Sequence, residues 1–204
     1  MPTERRREAE PLSDLCFRRA VKTEQENHKE EGIMLGRHVF LIGMPGSGKS
    51  SLGKRAAREI GLRFTDMDER ITETAGMPVE EIFAAYGEKG FRQAETNLLC
   101  AMTRWQPTVI STGGGVVLSE VNRKIMRDWG LIVLVDRPLE DILGDIRMET
   151  RPLLKEGGPE RLRKLYEERM PLYRDLADYT LKNDQGYMPA VQQLIRVMRD
   201  RFGA

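Results

Sequence analysis

A chain of 204 residues has room for one α/β domain plus an appendage. Its 33 basic and 32 acidic residues leave a net charge of +1, which indicates neither nucleic acid nor an acidic membrane as a partner. No apolar run approaches the roughly 18 residues of a membrane span. The two cysteines, Cys16 and Cys100, lack a C-x-x-C spacing; they indicate neither a metal site nor a disulfide framework and fit a reducing cytoplasm.

Residues 1–36 are dense in charge (Arg5-Arg6-Arg7, Glu24, Glu26, Lys29, Glu30, Glu31) and have little to bury. They lack the apolar core of a signal peptide, and their many acids argue against a transit peptide. Leu12, Leu15 and Phe17 would make one short helix. The segment reads as a flexible or weakly helical extension. A second reading starts the chain at Met34, just ahead of the first strand.

The apolar run His38-Val39-Phe40-Leu41-Ile42 predicts a strand, and Leu52, Ala56 and Ile60 recur at helical spacing. Between them lies Gly43-Met44-Pro45-Gly46-Ser47-Gly48-Lys49-Ser50, a G-x-x-x-x-G-K-S loop. Its glycines let successive N–H groups turn inward onto a phosphate chain, and the helix N-terminus adds partial positive charge. Lys49 reaches the terminal phosphates and the Ser50 hydroxyl ligates Mg²⁺, so the stretch predicts nucleotide binding.

Gly61 ends that helix, and Leu62 to Thr65 reads as a short strand. In Asp66-Met67-Asp68, residues two apart on an extended segment face one side. Both carboxylates would then serve Mg²⁺ water or a substrate hydroxyl. Alternatively, Asp68 caps a helix beginning at Glu69. Val79, Ile82 and Phe83 predict a short helix after Pro78, and Gly87 separates it from a longer one over about 88–104. Cys100 falls in the apolar stripe of that helix and reads as a small core residue. Arg92 and Glu95, three apart, make either a solvated ion pair worth less than about 1 kcal/mol or a guanidinium fixed to grip an anion.

Pro107 to Ser111 is a buried-type strand that runs into Thr112-Gly113-Gly114-Gly115, where a ligand can approach the backbone closely. Ser119 caps a helix through Trp129, Gly130 ends it, Leu131 to Val135 is a fourth strand, and Pro138 opens another helix. Residues 147–158, with Arg151, Pro152 and Gly157-Gly158, predict a loop that closes over a site. Pro159 starts a helix carrying Leu162, Leu165, Tyr166 and Arg169. Tyr179 to Leu181 is a last strand, and Pro189 opens a terminal helix with Val191, Leu194, Ile195 and Met198 on its core face. The β-α alternation predicts a mostly parallel sheet covered on both faces, with ligands at the strand carboxyl ends.

Six patterns stand in order: the loop Gly43 to Ser50, F-x-D-x-D at Phe64 to Asp68, F-R-x-x-E at Phe91 to Glu95, T-G-G-G at Thr112 to Gly115, R-P-L-L at Arg151 to Leu154, and R-x-P-L-Y at Arg169 to Tyr173. Together they resemble shikimate kinases over about Arg37 to Phe202. The resemblance implies a P-loop nucleoside-monophosphate-kinase-like α/β/α fold, with five parallel strands in 2-3-1-4-5 order. It implies a kinase domain over 37–204, substrate-binding helices at about 66–104 and a lid at about 147–158. It implies transfer of the ATP γ-phosphate to the 3-hydroxyl of shikimate, by a cytoplasmic monomer on the route to chorismate. In those terms Gly46, Ser47, Gly48, Lys49, Ser50, Ser51 and Arg151 hold ATP, and Ser50 and Asp66 serve Mg²⁺. Asp68, Arg92, Gly114, Gly115 and Arg169 meet shikimate, and Lys49, Asp68 and Arg151 act in catalysis.

One departure concerns the adenine. The family often carries a basic residue upstream of R-P-L-L that packs on the base. Here Arg147 is nearest, and neither it nor Asn183 to Gly186 is assigned that role. The alternatives are another small-molecule kinase, such as a gluconate or nucleotide kinase, and a non-catalytic ATP-binding relative. The last predicts damage at Lys49, Asp68 or Arg151, and none is seen.

Overall fold

Five apolar stretches pair as one parallel sheet. They are β1 (His38–Ile42), β2 (Arg63–Asp66), β3 (Thr108–Ser111), β4 (Gly130–Asp136) and β5 (Tyr179–Lys182), in the order β2-β3-β1-β4-β5. The computed structural model describes Asp14, residues 38–145 and residues 158–202. Arg147, Arg151 and, apart from Asp14, residues 1–36 lie outside the described residues, as does all of the expected lid except Gly158.

Between the strands run α1 (Lys49–Glu59), α2 (Met67–Ala75), α3 (Val79–Met102), α4 (Glu120–Trp129), α5 (Leu139–Asp145) and α6 (Gly158–Leu176), and α7 (Tyr187–Phe202) follows the last strand. Every residue of β1, β3 and β4 is buried, which is what a parallel sheet with two covered faces requires. Neighbouring residues on a strand point to opposite faces. Phe40, Ile42, Ile110 and Leu134 therefore pack into one core with α2 to α6. Val39, Leu41, Val109 and Val133 pack into the other with α1 and α7. Each such side chain stabilises the fold by roughly 1.5–3 kcal/mol, so the strand ahead of the phosphate loop is anchored on both sides.

Two close approaches fix how the first layer sits. A Cβ on Gly53 of α1 would lie 2.5 Å from Leu41 Cδ1 and 2.9 Å from Phe64 Cε2, so the helix rests directly on the sheet. At the opposite end of β1, His38 Nδ1 accepts the Thr108 N–H at 3.3 Å. Burial pushes the His38 imidazole down to about 4, with hydrogen bonding to the Met102 and Thr108 backbone opposing it, so it is neutral near pH 7.

The register places the site. Ile42 pairs with Leu134, Leu41 with Ser111, and Asp66 with Ser111. The phosphate loop, Asp66, the triple glycine and Arg137 thus leave one edge of the sheet together.

Several expectations are refined. Gly87 breaks α3 with φ 68 and ψ 175, as its position predicts. Ser119 caps α4 by accepting from the Asn122 N–H. The helix that carries Arg169, α6, runs on through Pro171 to Leu176. Cys100 is exposed rather than core: it lies on the helix side opposite Leu98, away from the buried Leu98, Leu99 and Met102. Among the described residues no helix is long and apolar enough to cross a membrane.

Candidate active site

The phosphate loop is a backbone structure that only glycine permits at three points. Gly43, Gly46 and Gly48 have φ of 140, 81 and 98. A Cβ at Gly43 would stand 2.7 Å from the Val135 carbonyl oxygen, and one at Gly48 would stand 3.0 Å from Asn183 Nδ2. Side chains from distant elements take the loop's carbonyls. Asn183 Nδ2 donates to Ser47 O at 2.8 Å, Arg137 Nη1 to Gly46 O at 3.2 Å, and the Tyr187 hydroxyl to Ser51 O at 3.1 Å. Lys49 is buried, and its ammonium donates to Gly43 O at 3.0 Å and Met44 O at 2.8 Å. The positive end of α1 opens onto the same space.

That space is a cavity of about 510 Å³. On its sheet side, the Ser50 hydroxyl donates to Asp66 Oδ2 at 2.5 Å and lies 3.1 Å from Ser111 Oγ. Asp66 Oδ1 accepts the N–H groups of Asp68 at 3.0 Å and Glu69 at 3.3 Å. The helix cap is therefore Asp66, not Asp68. The strand stops at Asp66 and α2 begins at Met67, which leaves Asp68 half-buried in the first helical turn. Both carboxylates still line the cavity.

The oxygens of Ser50 and Asp66 fit Mg²⁺, a hard cation that keeps water and phosphate among its ligands. Among the described residues no group of three or more His, Cys, Asp or Glu could hold a metal. The protein's share would thus be this hydroxyl and this carboxylate, completed by nucleotide oxygens and water.

Beside Asp68 and Gly114, beyond the residues that line this cavity, the geometry is ionic. Arg92 Nη1 meets Glu95 Oε2 at 2.6 Å, and Arg92 Nη2 meets Glu88 Oε1 at 3.2 Å. The Glu95 side chain is 0% exposed, which excludes the solvated-pair reading of this spacing. Burial pushes Glu95 up to about 7, with the Arg92 charge pulling it down and Asp68 adding to the rise. The triple glycine is pressed against these charges. A Cβ on Gly113 would lie 2.5 Å from Glu95 Oε1 and 2.7 Å from Asp68 Oδ1, and one on Gly115 would lie 2.3 Å from Arg92 Cζ.

Arg169, 4% exposed, comes from α6, with Nη1 3.6 Å from where a Gly114 Cβ would stand. One turn on, the buried Tyr173 hydroxyl donates to Gly114 O. Burial pushes that phenol up to about 12, with Arg169 opposing. Pro45 of the phosphate loop also abuts Gly114, so the cavity and the ionic cluster share a wall.

Of the residues marked in the sequence, Gly46, Gly48, Lys49, Ser50 and Ser51 line the cavity with Asp66, Asp68 and Gly114. Ser47 is buried. Arg92, Gly115 and Arg169 adjoin in the ionic cluster beside it. Arg151 lies outside the described residues. Four further residues enter without a prior role: Arg137, Asp145, Tyr173 and Asn183. Tyr173 at least closes the R-x-P-L-Y pattern; the other three carry no local signal.

Comparison with known proteins follows the same residues. The family model described as shikimate kinase matches residues 45–199. A shikimate kinase of Clostridium beijerinckii is 40% identical over 164 residues, which are 80% of this chain and 96% of the relative. One of Vibrio parahaemolyticus is 37% identical over 168 residues, 81% of this chain and 98% of its own. Among solved structures, the shikimate kinase from Acinetobacter baumannii in complex with shikimate superposes with a TM-score of 0.76 at 34% identity, over 81% of this chain and 94% of that one. The enzyme from Bacteroides thetaiotaomicron gives 0.72 at 28% identity, over 82% and 99%.

Proposed function

The chain belongs to the shikimate kinase family, and from that premise we propose that it transfers the γ-phosphate of ATP to the 3-hydroxyl of shikimate, as a cytoplasmic monomer acting on a small molecule. The observation that carries this reading is the meeting of Arg92, Arg169 and Asp68 around the triple glycine, against the wall of a phosphate-loop cavity. Two guanidiniums suit a carboxylate acceptor, and the carboxylate of Asp68 suits its hydroxyls.

In this reading Arg92 and Arg169 hold the shikimate carboxylate, and the backbone of Gly114 and Gly115 lies under the ring. Glu95 keeps the Arg92 fork in place through the 2.6 Å contact. Asp68 orients the reacting hydroxyl and takes its proton as the oxygen attacks the γ-phosphorus. The bond from that phosphorus to the β-phosphate oxygen breaks, and ADP leaves. The phosphate loop, Lys49 and, from beyond the described residues, Arg151 hold the nucleotide in line, so that positioning and charge supply most of the acceleration. Mg²⁺ held at Ser50 and Asp66 would neutralise charge on the nucleotide phosphates. The proposed kinase domain is residues 37–204, with residues 1–36 as an extension to it.

The test is ADP release from MgATP with shikimate, gluconate and a nucleoside monophosphate offered separately. Turnover with shikimate alone is expected. Turnover with another acceptor would mean that the arginine pair has been misassigned, and ATP binding without turnover would favour a non-catalytic relative.

A further inference from the structure

We propose that Arg137, braced by Asp145, is a nucleotide-binding residue: it positions the phosphate loop through the Gly46 carbonyl and offers a second positive charge to the polyphosphate of ATP. This rests on the ATP-dependent reading above. Arg137 is the first residue after β4, at the edge of the sheet where the loop leaves β1. Its Nη1 donates to Gly46 O at 3.2 Å, and its Nη2 donates to Asp145 Oδ2 at the far end of α5. The guanidinium is 22% exposed and lines the cavity, whereas its Asp145 partner is 65% exposed.

Charge balance supports the assignment. Among the described residues lining the cavity, Asp66, Asp68, Glu69 and Asp145 are acidic, and Lys49 and Arg137 are the cations. A polyphosphate entering beside four carboxylates needs more than one cation. Among the described residues, Arg137 makes two bonds, which use two of its five N–H donors and leave three for phosphate oxygens. A lysine could not serve carbonyl, carboxylate and phosphate in one plane. Asp145 fixes the plane of the fork, and Gly46, at φ 81, is the loop residue whose peptide orientation the fork holds.

The experiment measures nucleotide binding to the full chain by calorimetry with no acceptor present, so a wrong acceptor leaves the result intact. Arg137→Ala is expected to weaken ATP and ADP about tenfold or more, the effect of one charge-assisted hydrogen bond, and AMP less than about threefold. In turnover, the ATP KM rises by the same factor with the acceptor KM unchanged. Asp145→Asn is expected to weaken ATP about threefold, with no further loss in the Arg137→Ala background. If Arg137→Ala melts early, Arg137→Gln carries the test, since it keeps a donor for Gly46 but no charge. ATP binding within twofold of the parent in the folded variant would make the pair a surface ion pair and overturn the proposal. An equal loss of AMP would move the contact to the nucleoside and overturn the polyphosphate assignment.

Discussion

The phosphate-loop cavity is backbone held by side chains, and the arginine cluster beside it is side chains held by packing and by backbone. The first comes from one short stretch, Gly43 to Ser51, with Asn183, Arg137 and Tyr187 gripping its carbonyls. The second gathers Asp68, Arg92, Glu95 and Arg169 from three helices against glycines with no room for a Cβ. In the reading proposed above, the first would bind by shape and peptide dipoles. The second would work through charges taken out of water, where each is stronger but costs more to leave unpaired.

The contrast predicts that damage in the two regions reads out differently. Lys49→Ala should produce the largest effect, a fall in turnover of about 10³-fold, comparable to the loss of a transition-state donor. The acceptor KM should hold within about threefold. A matching rise in acceptor KM would show that the two regions do not act separately.

Arg92→Ala should act the other way round, raising the shikimate KM by about 100-fold for the lost charge-assisted hydrogen bonds, with turnover little changed. It also strips Glu95 of its counter-charge, so the melting temperature should drop, an effect that Arg92→Lys should partly rescue. An unchanged KM and turnover would end the carboxylate-clamp assignment.

The third prediction is a pH dependence. Glu95 is raised from an ordinary 4.5 to about 7. Between those values the unfolded chain has released this proton while the folded chain keeps it. The unfolded state then binds fewer protons, and stability falls as pH rises from 4.5 to 7, by up to about 3 kcal/mol. His38, lowered from 6.5 to about 4, has the opposite sign: its contribution is lost as pH falls through that window. Denaturant titrations of the wild type and Glu95→Gln at pH 5 and pH 7 separate them. The variant should lose the Glu95 slope and keep that of His38, and identical slopes in both proteins would refute the Glu95 assignment.

Gly115→Ala should have the smallest effect. The new methyl falls within 2.5 Å of three guanidinium atoms of Arg92, which must shift against their contact with Glu95. The acceptor KM should rise about tenfold, equivalent to about 1.4 kcal/mol, with a drop in melting temperature smaller than that of Arg92→Ala. A large melting shift with normal KM would show that the glycine serves packing rather than the acceptor.

The same contrast explains what the sequence reveals. The phosphate loop is legible because its glycines state a backbone shape locally; the β-α alternation indicates a mostly parallel sheet, and the strand order comes only from the family resemblance. Arg92 and Glu95 are visible as a pair at helical spacing, but only the fold shows the pair buried. The cap falls on Asp66 because the strand ends there, which no local pattern fixes. Cys100 misleads because one turn of a helix carries both the core stripe and its opposite side. Arg137, Tyr173 and Asn183 contact residues 91, 59 and 136 positions away, and no short-range pattern encodes such meetings.

Gly53 carries a lesson for protein engineering. Replacing an interior helical glycine by alanine ordinarily gains about 1 kcal/mol and is a standard step toward a sturdier enzyme. Here the methyl would collide with Leu41 and Phe64 and prise α1 off the sheet, taking Lys49 and Ser50 at its first turn along. A thermostabilisation campaign guided by helix propensity alone would therefore spoil activity from a position that touches no ligand.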